Sequence, residues 1–162
     1  MDERDEGRAR APWTVADLAS LFAGDPEPLG DVDVEVPEGG DALRLVLRDK
    51  GDLEVYVSAA GEQVLCSTLL VEGGRVPRRD AFDSLLLAGH KAVPLSTFGI
   101  TRVGDAEWYE LFGSLSARSR ADVVVEEVVT LAVNAVEAAE MVGEWIASGG
   151  DRAALQGGGT DR

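Results

Sequence analysis

The side chains of this sequence that could do chemistry crowd into one stretch, HKAVPLSTFGIT at 90–101, which holds the single histidine beside a lysine, a serine and two threonines. A hydroxyl nucleophile needs a base within hydrogen-bond reach and a third group to orient that base. Here Pro94 stands between His90 and Ser96, and no Gly-x-Ser-x-Gly turn surrounds any serine. The same residues make a good joint. His90 and Lys91 suit the negative end of a helix, and Pro94 stops that helix and pushes Val93 toward extended geometry. The stretch is read as the place where a helix ends and a strand begins.

The other candidates have plain readings too. Asp105, Glu107 and Glu110 cluster on a hairpin and could act as acid and base only if burial separated their pKa values. Asp31, Asp33 and Glu35 fall at the first, third and fifth positions of a calcium loop, but Val36 stands where the loop needs glycine and Ala42 where it needs its closing glutamate. They read better as the wet face of a strand. One cysteine, Cys66, with one histidine cannot complete a zinc site, and Cys66 reads as a small buried hydrophobe. The glycines at 157–159 lack the Lys-Ser/Thr of a phosphate loop. No catalytic residue, cofactor or metal site is therefore expected, and the chain reads as a non-enzyme. The competing reading is a small-ligand binder or enzyme that uses His90 and the acidic hairpin in a pocket between helices and sheet.

The elements that must position these groups follow from patterning. With 162 residues, 45% of them apolar, the chain suffices for one domain over 12–148, between a disordered charged extension at 1–11 and a flexible Gly-rich tail at 149–162. Thr14 and Asp17 form a capping box, and Gly24 ends the short helix they start. Four alternating segments at 31–36, 42–49, 53–58 and 63–71, joined by Gly-containing turns, predict an antiparallel meander. A second helix runs from Pro77 to Pro94, and a hairpin turns at Gly104-Asp105. A long helix from Ser119, with Asp122 in a second capping box, ends at Gly149-Gly150. The fold class is α+β, an antiparallel sheet of four-strand meander plus hairpin with helices packed on it, in the order α-β-β-β-β-α-β-β-α.

Two features suggest protein binding. Alternation places Tyr109, Leu111 and Leu115 on one face of a strand and Trp108 and Phe112 on the other, leaving an aromatic pair on the open side of the sheet. The final helix carries two apolar rows, Val125, Val129, Ala132, Val136, Ala139 and Ile146 beside Val128, Leu131, Ala135, Val142 and Trp145. A helix so broadly apolar calls for contact on more than one side. Trp108, Phe112, Val128, Val142 and Trp145 are therefore the candidate protein-binding residues, and a homodimer is expected.

A net charge of −15 with 15 scattered Lys and Arg residues argues against nucleic acid. The lone cysteine and the absence of a leader pattern point to a cytoplasmic protein. Glu126 and Glu127 interrupt the Val-rich helix, so direct membrane insertion is not expected.

The segments KGDLEVYVSAAGEQVLCSTLL, HKAVPLSTFGI, YELFGSLSARS and EEVVTLAVNAVEAAE together resemble the bacterial YjfI-like family of unknown function, over most of residues 13–147. The order of elements resembles the small fold of type III secretion chaperones and YbjN-like proteins. The resemblance implies no catalytic residue. It implies a chaperone-like or adaptor role near envelope stress, with a PspA-like helical protein as partner.

Overall fold

The computed structural model describes residues 10–24 and 26–156. Six strands form one antiparallel sheet in the order β1-β2-β3-β4-β6-β5, with β1 Val32–Glu35, β2 Ala42–Leu47, β3 Leu53–Ala60, β4 Gln63–Glu72, β5 Thr97–Val103 and β6 Ala106–Ser116. The helices are α1 Val15–Ala23, α2 Arg79–Gly89, α3 Ala121–Ala147 and a short α4 Arg152–Gln156. The expected α+β order is present, with α4 added where a structureless tail is predicted. Asp151 starts α4 by accepting from the Ala153 amide at 2.9 Å, and Leu155 packs on buried side chains. Residues 1–9 and 157–162 of the predicted extension and tail lie outside the described residues.

The chain divides into two compact units. Among the described residues, one comprises those up to 66 and 114–128, the other 67–113 and those from 129 on. β4, β6 and α3 each run from one unit into the other.

In the first unit α1 forms as the capping box dictates: the Thr14 side chain accepts from the Asp17 amide at 3.1 Å, and the Asp17 carboxylate takes the Thr14 amide in return. Leu18 and Phe22 on its buried stripe lie in the unit that also buries Leu43, Leu45, Leu47, Val55 and Val57, and α1 packs on β1, β2 and β3. The opposite face of these strands is an ion-pair lattice. Register sets Arg44 beside Glu35, which it pairs at 2.6 Å while also donating to Glu54. Arg48 reaches Asp33 and, at 3.1 Å, Asp52. The alternating acids read from the sequence are thus the wet face of β1.

α3 starts at Ala121, one residue later than a Ser119 cap would require. The Ser119 carbonyl instead accepts the Trp13 indole N–H at 2.7 Å, and the Arg120 side chain pairs with Asp122 at 3.1 Å.

The second unit is built on aromatics. Phe82 of α2 meets Tyr109 of β6 edge to face at 5.0 Å and Trp145 of α3 at 5.3 Å, among Val71, Val76, Leu86 and Val142. Each such side chain contributes about 1.5–3 kcal/mol by leaving water. The Trp145 indole N–H donates to the Pro77 carbonyl at 2.8 Å, so its one polar atom is satisfied.

Candidate functional site

The junction at 90–101 is locked by hydrogen bonds. After α2 the chain makes one 3-10 turn, His90–Ala92, and Leu95 adopts φ +58° before β5. His90 Nε2 accepts the Phe98 amide at 2.8 Å, and the two rings stack with centroids 5.6 Å apart and planes within 3°. That bond makes Nε2 the acceptor nitrogen of the imidazole, with the ring proton on the other side. From α3, the Asn134 side-chain amide donates to the Pro94 carbonyl at 2.8 Å and to the buried Ser96 hydroxyl at 2.9 Å. Ser96 is bonded to an amide, His90 to a backbone N–H, and no bond between the two residues is present. The stretch is the joint the sequence suggests.

What the joint does is set β5 against α2 with a groove between them. A cavity of about 290 Å³ opens there, lined by Asp83, Leu86, Leu87, His90, Phe98, Ile100 and Tyr109. The register Phe98↔Leu111 and Ile100↔Tyr109 places Phe98 and Ile100 on the face of the β5–β6 hairpin that α2 covers. Cover is incomplete. Leu87 is 70% exposed and Ile100 49%, and β5 is the last strand of the sheet, so its outer backbone groups have no strand partner. Two large apolar side chains thus stand in water along an open strand edge.

The polar groups of the groove are tied to one another. Tyr109 donates its hydroxyl to Asp83, and Arg79 donates to that hydroxyl at 3.3 Å and to Glu107 at 3.0 Å, with its guanidinium over the Tyr109 ring. Burial, and then the neighbouring Asp83, raise the Tyr109 pKa, so the phenol stays protonated and serves as a donor. Of the hairpin carboxylates, Glu107 is held by Arg79, and Glu110 lies half-buried with a pKa raised by burial. The register puts Glu110 opposite Gly99 and Glu107 opposite Arg102, which sends them to opposite faces of the hairpin. They do not form an acid and base pair.

The predicted protein-binding residues separate into two groups. Trp108 and Phe112 are half-buried on the face away from Tyr109, as alternation requires. Phe112 has a local reason to lie there, because a Cβ built on Gly99 would meet its ring at 3.0 Å. The ring lies over the glycine and covers bare strand backbone. Val128, Val142 and Trp145 are corrected: at 0%, 5% and 1% exposure they belong to the chain's own interior, so the apolar row that seemed to call for another molecule is absorbed within the chain. What α3 leaves in water is a sparser set, Val123, Val133 and Val136.

Sequence reasoning missed Leu87, Phe98 and Ile100. A signal was present for Leu87, since the three consecutive leucines 85–87 on an 11-residue helix cannot all face one side. Cys66 is buried as expected, and burial, with a smaller contribution from Glu127, pushes its thiol up to about 12.

The fold is that of a small α+β protein of the YbjN kind. It matches the crystal structure of YbjN from Escherichia coli with a TM-score of 0.54 at 13% identity, over 78% of this chain and 91% of that one. The chain belongs to the family described as an uncharacterized protein conserved in bacteria (DUF2170), whose model matches residues 12–146. It is similar to the uncharacterized protein YjfI of E. coli strain K12, 29% identical over 133 residues that cover 82% of this chain and 97% of that protein, and equally to YjfI of E. coli O157:H7. The family resemblance read from the sequence and the YbjN-like architecture both hold.

Proposed function

We propose that this chain is a non-catalytic cytoplasmic adaptor that docks a protein partner in the groove between α2 and β5. One observation carries the reading: Leu87 and Ile100 stand exposed beside β5, the outermost strand among the described residues, where an apolar side chain of another polypeptide gains by leaving water. The size of the recess favours side chains over a metabolite. At about 290 Å³ it lies at the lower limit of the roughly 300–1,000 Å³ clefts that enclose small molecules. The polar groups that could have served chemistry are engaged in the joint and in the Tyr109 network.

The envelope-stress setting and a PspA-like partner rest on the family resemblance, and a second copy of the chain is the other protein that could meet this surface. No helix among the described residues is long and apolar enough to cross a membrane. The test is to purify tagged native, Leu87→Glu, Ile100→Glu and Trp108→Ala/Phe112→Ala chains from the host. Loss of the co-purifying protein from the two groove variants alone supports the reading. Loss from the Trp108/Phe112 variant alone moves the docking surface to the opposite face of the hairpin.

A further inference from the structure

The two edges of the sheet are built differently, and the difference identifies the occupant of the groove. An exposed strand edge invites pairing, and proteins blunt it with short strands, charges and proline. β1 is blunted in this way. It is four residues long, carries Asp33 and Glu35 held by Arg48 and Arg44, and is followed by Pro37. β5 is seven residues long and carries no acidic residue and no proline, and its one charge is Arg102 near the far end. Its inward side chains Phe98 and Ile100 line the recess. Apart from the Phe98 amide, which donates to His90, and the charge of Arg102, this longer edge is left without such devices, and beside an apolar recess it suits an occupant that supplies both a backbone and side chains.

Building on the docking surface proposed above, we infer that the groove takes an extended polypeptide segment of a partner, which adds to β5 as a seventh strand. In an added strand every second side chain points to the face where the recess opens, and backbone N–H and C=O groups of one parity meet the β5 edge. The segment therefore carries bulky apolar residues at alternate positions. Basic residues stand between them, because the chain is strongly acidic and these positions point to the other face of the hairpin, where Glu110 stands opposite Gly99 of β5.

The chain's own ends do not meet this description. Residues 1–9, MDERDEGRA, offer Met1 as their one bulky apolar side chain, and residues 157–162, GGGTDR, offer none. A second copy would bring another 15 negative charges.

The probe is a fluorescein-labelled peptide of about nine residues alternating isoleucine and lysine, titrated against the full chain by polarisation and compared with a peptide of the same composition in block order. The alternating peptide is expected to bind at least about tenfold more tightly, a difference that a register of alternate pockets would produce. N-methylation of all residues of one parity is expected to weaken it about tenfold and of the other parity to leave it nearly unchanged, since only one parity faces β5. Leu87→Glu and Ile100→Glu chains, checked for native melting temperature, are expected to lose binding. Equal binding of the block peptide, or equal effects of the two methylation patterns, overturns strand addition. So does a native dimer in sedimentation equilibrium that Ile100→Glu dissociates, which would make a second copy the occupant. If the peptides fail while the groove variants still lose their native partner, this inference falls and the docking surface stands. If the variants keep both peptide and partner, both fall.

Discussion

Trp145 separates the structural account from the sequence expectation, because the same residue is either a contact for a partner or a keystone of the second unit. Its indole is 1% exposed, lies 5.3 Å from the Phe82 ring, and donates to the Pro77 carbonyl at 2.8 Å. Truncation to alanine removes the packing and leaves a cavity, at a cost of about 3–5 kcal/mol for a buried tryptophan. The carbonyl left without its donor falls within that range at about 1 kcal/mol. For a chain of this length about 1 kcal/mol moves the melting temperature by roughly 2–4 °C, so Trp145→Ala should melt about 6–20 °C lower. Trp145→Phe keeps most of the ring contact and loses the N–H, so it should cost about 1–2 kcal/mol, of which the unpaired Pro77 carbonyl is about 1 kcal/mol. Circular dichroism melts of the two variants, repeated with urea, read both numbers. A Trp145→Ala chain that melts within about 2 °C of the parent would refute the core assignment and return this side chain to the surface.

Leu87→Glu and Ile100→Glu replace exposed side chains and should each change stability by no more than about 0.5 kcal/mol while removing partner binding, read by melting and co-purification together. Glu127, nearly buried on α3, has a pKa raised by burial and then by Glu126. Its folded form holds a proton that the unfolded chain has already lost, so this carboxyl lowers stability as pH rises from the ordinary carboxylate range through its raised folded value. Glu127→Gln should therefore melt higher than the parent at pH 7, with the gap closing as pH falls toward 4, and a gap independent of pH would contradict this. Cys66, with its thiol at about 12, should resist an aromatic disulfide reagent at pH 8 in the folded chain and react at once in urea; rapid labelling of the native protein would contradict its burial.

The elements were legible because their signals are local. Thr14 and Asp17 state the start of α1, and the Leu43, Leu45, Leu47 alternation states the buried face of β2; Pro94 marks only the limit of the second helix, which ends earlier, at Gly89, and gives way to a 3-10 turn over His90–Ala92. The joint at 90–101 was legible for the same reason, since a proline between a histidine and a serine limits what the two can do together. Order in the sheet was not legible, because nothing local to TFGITRV says that β6, not β5, pairs with β4 and leaves β5 outermost. The groove depends on that order, and so Ile100 passed as an ordinary strand residue. Val128, Val142 and Trp145 failed for a related reason. A helix apolar on two sides shows how much must be covered but not whether the cover comes from the same chain, and here it does.

The central claim is that the α2–β5 groove docks a protein, and site-specific photo-cross-linking in the host tests it most directly. A benzophenone amino acid at position 87 or 100 should yield one discrete protein adduct, while the same group at Tyr56, on the ion-paired face of β3, should yield none. Adducts at position 56 or 108 with none at 87 and 100 would contradict the claim.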